Sequence, residues 1–510
     1  MGFIAWREFM LPAVCSGLDE ILCFNFTANP LTCDCMNLVF TTDPRPQKEE
    51  TRVVFVPVSE RNSLPSPVSK SEFSGKPNST SFFREENVLA VGVGDNSKID
   101  AQILRSAAGT AVMTLKKLER TKAIFDAAAY SRFAGAIVEG AVLADYRFEQ
   151  FKTTKTAQMK SLRVVVPKAG LAGAKRDGSR GKILAEAANY ARQIGNQPGN
   201  FIYPASLAEE ARKLARKKGL RVTVLDEKAL RKGKFGGMLA VGAGSARPPR
   251  MIILEHRGGN AGQAPIALVG KAITFDTGGI SLKPAGDMEE MIFDKSGGIA
   301  VLGAMAAIAD LKLKRNVVGI IASAENMPGP TAYRPGDIVT TYDGKHIEIV
   351  NTDAEGRMVL ADAIGYARKV KHAEAIIDLA TLTGACGVAL GECVAGLWST
   401  SDDLIAQLLT AGGATGERLW HMPLYPEYDD QIRSDVALIK NSGGRLAGAC
   451  TAAAFLKTFA ETTPWAHIDI AYMASIGRDR ADLGRGATGF GIRTLAELVE
   501  NWKTPAKGKK

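Results

Sequence analysis

No apolar run in the 510 residues approaches the roughly 20 that a bilayer-spanning helix needs, which argues against a membrane protein. Cysteine is scarce and badly placed for bridging. Of seven, Cys15, Cys23, Cys33 and Cys35 crowd the first 35 residues, while Cys386, Cys393 and Cys450 lie far downstream. An odd count without secretory features is no disulfide framework and fits reduced thiols in a reducing, cytoplasmic compartment. Cys33-Asp-Cys35 has no second pair at ligand spacing, so a structural zinc site is disfavoured. Arg7 and Glu8 interrupt the apolar start of the chain where a signal core would have to be continuous, so no signal peptide is expected.

Histidine is sparse too. The five, His256, His346, His372, His421 and His467, form no pair at ligand spacing and no His-Glu-x-x-His, which disfavours a histidine-based zinc protease. There is no Gly-x-Ser-x-Gly elbow and no Gly-x-x-x-x-Gly-Lys-Ser/Thr loop, so serine-hydrolase and nucleotide-hydrolase chemistry lose their main support.

What is present is an ordinary globular composition, 46% hydrophobic and 23% charged, in a chain long enough for two or three domains. The excess of 64 Lys+Arg over 54 Asp+Glu, a net charge of +10, is mostly scattered. Its densest stretches, 175–182 and 503–510, read as solvated segments, so a nucleic-acid partner is not expected.

Residues 1–48 show no clean periodicity and read either as an extension or as a translated stretch upstream of the true start. Strand patterns begin at Thr51-Arg-Val-Val-Phe-Val-Pro-Val58 and return at Val88-Leu-Ala-Val-Gly-Val93. A helical pattern follows over 100–118, then a short strand-like run at 134–142 and another strand at Leu162-Arg-Val-Val-Val-Pro167. Together they predict a smaller N-terminal α/β domain over 49–168. The Gly/Lys-rich stretch 168–182 has linker composition and leads into a helix over 183–194, so 169–195 reads as linker and connecting helix. Beyond it, over 196–503, short apolar runs alternate with helical stretches: 221–225, 237–241, 251–254, 266–270, 317–322 and 375–380. This is the pattern of a larger C-terminal α/β domain with a mostly parallel central sheet. Residues 504–510 form a basic tail.

Ligands of open α/β sheets bind beyond the carboxyl ends of the strands. Two polar runs stand there. The first, from Val269 through Pro284 to Gly298, sets Lys271, Asp276, Lys283 and Asp294 among glycines. The second, Val350-Asn-Thr-Asp-Ala-Glu-Gly-Arg357, repeats Asp353, Glu355 and Arg357 at every second residue. An extended backbone would aim all three to one side. Converging carboxylates repel unless a cation sits between them, which motivates metal binding. A lone aspartate is more often a surface residue or helix cap; the whole set is not.

Asn351-Thr-Asp-Ala-Glu-Gly-Arg357 resembles the signature of the leucine aminopeptidase (cytosol aminopeptidase) family. The family's other blocks follow in order: 270–284, Ala380-Thr-Leu-Thr-Gly-Ala385, Asn441-Ser-Gly-Gly-Arg445, Trp465-Ala-His-Ile-Asp-Ile-Ala471 and Gly486-Ala-Thr-Gly-Phe-Gly491. The resemblance is strong over about 196–500. Over 51–168 it is weak and rests on Tyr146-Arg-Phe-Glu-Gln-Phe-Lys152, and residues 1–48 share nothing with it.

The resemblance implies an enzyme that hydrolyses the N-terminal residue of peptides with two divalent metal ions, Mn²⁺ or Zn²⁺, in a homohexamer. It makes Lys271, Asp276, Asp294 and Glu355 ligands of one metal and Asp276, Asp353 and Glu355 ligands of the other. A ligating lysine must be neutral, which two nearby dications make possible. Lys283 would stabilise the oxyanion, and Arg357 would hold a bicarbonate that shuttles a proton. The pocket for the first side chain maps to Met291, Thr381 and Gly384, with Leu382 contacting the peptide backbone. These residues are apolar or small, so leucine and similar residues should be preferred. Two positions depart from the family pattern. Lys295 stands where Met is expected and adds positive charge beside the site, and Tyr472 crowds a position where Gly is usual. Two alternatives stay open: a silent binding or nucleic-acid-binding protein on the same fold, and a two-metal phosphoesterase.

Overall fold

A computed structural model describes residues 36–64 and 72–506. The expectations placed on residues 1–35 and on the last four residues of the tail lie outside the described residues.

Among the described residues, the first sheet has six strands in the order Asn37–Thr41, Ser161–Val165, Lys122–Asp126, Thr51–Pro57, Val88–Gly94 and Thr80–Phe83. Every pair is parallel except the last. The strand Asn37–Thr41 falls inside the stretch expected to be an extension. Its register against Ser161–Val165 carries the first α/β unit back at least to residue 37. A strand this short at a sheet edge leaves little sequence signal.

The helix Ala101–Lys117 starts where expected, with the Asp100 carboxylate capping the Ile103 N–H at 2.8 Å. Residues 134–142, strand-like in sequence, instead belong to the helix Ala134–Asp145. This helix lies between Ala101–Lys117 and Leu171–Gly195, so nearly every position is buried and the one-sided stripe of a surface helix is missing. The Gly/Lys-rich stretch expected to be a linker is the start of the 25-residue helix Leu171–Gly195. Its glycines serve close packing: a Cβ at Gly181 would lie 2.3 Å from the Gly135 carbonyl oxygen, and one at Gly178 would lie 2.1 Å from Phe40. Residues 237–241 are likewise helical, within Gly236–Gly242, where Gly237 lets the helix approach the Met358 carbonyl, 2.3 Å from where a Cβ would stand.

The second sheet has eight strands in the order Leu419–His421, Ala395–Ser399, Trp465–Asp469, Ala375–Ala380, Ile266–Asp276, Asn316–Asn326, Arg250–Arg257 and Arg221–Leu225. The four from Trp465–Asp469 to Asn316–Asn326 run parallel and form its centre. Alternate residues face two cores: Leu254, Leu268 and Ile377 one way, and Ile253, Val269 and Ile376 the other. Burial on both faces explains the unbroken apolar runs. The helical stretch Met288–Asp310 is long and apolar enough to cross a membrane by length and composition, yet 78% of its most apolar window is buried inside the protein. The architecture is two α/β units, the smaller first, with the four central parallel strands of the larger ending on one side.

Candidate metal centre

Lys271 and Asp276 come from the strand Ile266–Asp276, and Asp294 from the 3-10 helix Met288–Lys295. Asp353 lies in a turn, and Glu355 immediately precedes the helix Gly356–Lys369. Asp276, Asp353 and Glu355 each bring an oxygen within 4.8 Å of the others. Lys271 Nζ lies 2.7 Å from Asp294 Oδ1 and 2.9 Å from Glu355 Oε1, and donates to the Thr381 carbonyl at 2.7 Å. Lys283 Nζ lies 2.9 Å from Asp276 Oδ2 and also pairs with Asp353 Oδ1. The resemblance's two metal-ligand sets and Lys283 thus form one continuous cluster.

The convergence of Asp353, Glu355 and Arg357 does not come from strand alternation. Residues 352–353 turn, the Asp353 N–H donating to Asn351 Oδ1 at 2.9 Å, and Glu355 already has helical dihedrals. The Asx turn competes with extended backbone and wins. Gly356 has no side chain to spare, because a Cβ there would lie 2.6 Å from the Lys271 stem. Gly278 (φ +85°) and Gly279 (φ +67°) carry the chain round after Asp276 in a left-handed conformation that side chains resist.

Four carboxylates here face two ammonium groups. Burial, then the charges of Glu355 and Asp276, push the Asp294 carboxyl far above its usual range, and burial with the same two neighbours raises Asp353 to about 6. Burial pulls the Lys271 ammonium down, but Asp294, Glu355 and Asp276 outweigh it and hold the group above its ordinary value. Lys283 is held up in the same way, against burial, by Asp276, Glu355 and Asp353. Asp294 Oδ2 is buried without a hydrogen-bond partner. Surplus negative charge, an orphaned buried oxygen and hard oxygen donors fit divalent cations.

Arg357 is buried, donates from Nη1 to the Asn441 carbonyl at 2.8 Å, and leaves Nε without a partner. Burial lowers it to about 10. Thr381 Oγ1 donates to Asp294 Oδ1 at 2.7 Å, while the Leu382 N–H donates to Asp469 Oδ1 at 3.1 Å. Met291 is half-buried beside Asp294 in the chain, and a Cβ at Gly384 would meet nothing within 4 Å. The charge on Lys295 is turned toward the carbonyls of Gln197, at 2.9 Å, and Ile292, and burial lowers this amine to about 7. Tyr472 is half-exposed, and its ring occupies the space a Cβ on Gly387 would need, so a glycine absorbs the crowding.

Several residues around the centre carried no role in the sequence reading. Asn441 holds the 350–351 backbone through Val350 N at 2.9 Å and Asn351 N at 3.2 Å; Asp469 clamps the 381–383 loop; Asn326 and Tyr333 reach the loop at Thr352. Asn441 and Asp469 sit in blocks shared with the family, which was the available signal. A cavity of about 380 Å³ lined by Lys218, Arg221, Arg257, Lys312 and Lys314 involves none of these residues, and its lysines end or follow the helices Pro204–Lys218 and Ser296–Asp310, where cations offset the dipole.

An acidic centre at the carboxyl ends of parallel strands puts the chain in the class of α/β metal-dependent enzymes. The sequence profile of the cytosol aminopeptidase family's catalytic domain matches residues 189–496, and that of its N-terminal domain matches residues 48–155. The chain therefore belongs to the cytosol aminopeptidase family and is a metal-dependent aminopeptidase. Its relatives include a probable cytosol aminopeptidase of Syntrophotalea carbinolica, 44% identical over 450 residues (85% of this chain, 90% of that one). Another, from Roseiflexus castenholzii, is 42% identical over 484 residues (91% and 99%). Among solved structures, the bottromycin maturation enzyme BotP in complex with Mn superposes with a TM-score of 0.80 at 32% identity, covering 89% of this chain and 99% of that one.

Proposed function

We propose that this enzyme uses two divalent ions, Mn²⁺ or Zn²⁺, to remove leucine and other apolar residues from the N-termini of peptides during cytoplasmic peptide turnover, and that it works as a homohexamer. The observation carrying this reading is the cluster of Lys271, Asp276, Asp294, Asp353 and Glu355 with Lys283 placed directly against it. Lys271, Asp276, Asp294 and Glu355 suit one ion, and Asp276, Asp353 and Glu355 the other. The Mn in BotP, on a fold this similar, supports the choice of ion. When bound, the ions polarise the scissile carbonyl and make a water acidic enough to attack at neutral pH.

The protein groups do the rest. Lys283 keeps its proton between Asp276 and Asp353, so its ammonium can face the developing oxyanion. Arg357, fixed by the Asn441 carbonyl and with Nε uncommitted, is placed to hold a bicarbonate ion as proton carrier between attacking water and leaving amine. Met291, Thr381 and Gly384 bound the pocket for the first side chain. Because the Leu382 N–H is committed to Asp469, the contact of Leu382 with the peptide backbone falls to its carbonyl.

The test is hydrolysis of a leucine anilide by metal-stripped protein with Mn²⁺ or Zn²⁺ returned, beside the Glu355→Ala variant. Metal-dependent release that the variant lacks supports the reading. No release with either ion from folded protein overturns it.

A further inference from the structure

We infer that Asn326 is a positioning residue for the metal centre: its single amide nitrogen joins the strand end that carries Asp276 to the turn that carries Asp353 and fixes which oxygen of Asp276 faces the cluster. The inference rests on the two-metal reading above. Asn326 ends the strand Asn316–Asn326 and is 1% exposed. Its Nδ2 donates to Asp276 Oδ1 at 2.8 Å and to the Thr352 carbonyl at 3.1 Å.

The backbone sets up this geometry. The parallel pairing of Ile266–Asp276 with Asn316–Asn326 runs in register up to Ile273 and Ala324, then shifts, so that Asp276 stands opposite Asn326. An irregularity of this kind re-aims a side chain at the end of a ladder. The Asn326 carbonyl is held as well, accepting from Thr277 N at 3.0 Å and Thr277 Oγ1 at 2.9 Å, so the residue cannot swing away from the turn that follows Asp276.

The consequence falls on Asp276. Its Oδ1 accepts from Asn326 Nδ2 and from the Gly278 N–H at 2.9 Å, which commits that oxygen to the protein. Oδ2 is left for the cluster, 2.9 Å from Lys283 Nζ. Asp353 follows Thr352 directly, so the second arm of Asn326 ties the separation of Asp276 and Asp353 to one rigid amide. Tyr333 Oη donates to the same Thr352 carbonyl at 2.9 Å and not to Asp276, which separates holding the loop from orienting the carboxylate. Groups behind a metal ligand typically change affinity by about 10–100-fold when removed.

The experiment titrates metal-stripped protein with Mn²⁺ and reads free ion by electron paramagnetic resonance, for the wild type and for Asn326→Ala, Asn326→Ser, Tyr333→Phe and Glu355→Ala. Circular dichroism confirms that each is folded. Expected are tight binding by the wild type, loss in Glu355→Ala, affinity lowered about 10–100-fold in Asn326→Ala, an intermediate loss in Asn326→Ser with its one donor, and a smaller change in Tyr333→Phe. Asn326→Ala binding as the wild type does overturns the inference while leaving the metal reading intact. If Asn326→Ala fails to fold, Asn326→Ser decides, and wild-type affinity there overturns it equally. A wild type that binds no Mn²⁺ removes the two-metal reading itself.

Discussion

Lys271 Nζ and Asp294 Oδ1 meet at 2.7 Å with 3% and 8% of their side chains exposed, a buried contact at the position where the family resemblance calls for two ligands of one metal. Without metal, the ammonium pairs with Glu355, 2.9 Å away, and supplies the counter-charge inside this buried carboxyl cluster. Removing one partner of such a pair strands the other at a cost of about 3–5 kcal/mol. Lys271→Met should therefore lower the unfolding free energy of metal-stripped protein by about that much, read from urea midpoints. Mn²⁺ at 100 times its dissociation constant should add about 2.7 kcal/mol to the wild type. Equal stability of the two metal-stripped proteins would refute the counter-charge role.

Arg357 touches the protein through the Asn441 carbonyl and forms no ion pair among the described residues, so removing it should leave the fold and the metals in place. A proton-transfer role predicts that Arg357→Ala loses about 10²-fold or more in kcat while its Mn²⁺ isotherm stays that of the wild type. If the isotherm weakens in step with kcat, the residue supports the metal instead.

A second buried network is structural. Glu139 Oε1 lies 2.6 Å from Arg105 Nε and 2.5 Å from Arg493 Nη1, and Arg493 Nε lies 3.2 Å from Glu417, which joins the first unit to the last helix, Ile492–Glu500. Burial would push the Glu139 carboxyl up, but the guanidinium groups of Arg105 and Arg493 outweigh it and hold it below its ordinary 4.5. With the folded value below the unfolded one, the stabilisation is complete above about pH 4.5 and fades as pH falls through the folded value. Glu139→Gln should cost about 3–5 kcal/mol at pH 7, with the gap to the wild type narrowing under acid in urea titrations. A gap that is flat or widens toward low pH contradicts this.

The strands at 51, 88, 162, 266, 317 and 375 were legible because burial on both faces leaves apolar runs. Ala134–Asp145 and Gly236–Gly242 were not, since a helix buried all round loses the 3.6-residue stripe and a short one looks like a strand. The glycines at 178 and 181 signalled flexibility but answer to helix packing against Phe40 and Gly135, contacts with no trace in local sequence. At the centre, the acids and lysines were legible as a set because their spacing matches a known pattern. Asn326 was hidden: a single asparagine at a strand end says nothing until the register sets it opposite Asp276.

Gly384 opens the helix Gly384–Leu390, outside the left-handed region, with no atom within 4 Å of where a Cβ would stand. A larger residue there is tolerated by the backbone and points into open space, so stability and Mn²⁺ affinity should hold in Gly384→Val. If that space receives the first side chain of the peptide, the added isopropyl group collides with leucine and spares alanine. One or two methylene-sized changes in such a pocket are worth about 1–3 kcal/mol, or about 10–200-fold. The ratio of kcat/KM for leucine over alanine anilides should fall by about 10-fold or more. Met291→Ala, at the other apolar residue assigned to this pocket, should lower the same ratio by removing contact rather than adding a clash, so leucine KM rises with kcat little changed. Equal losses for both substrates in Gly384→Val would place the pocket elsewhere.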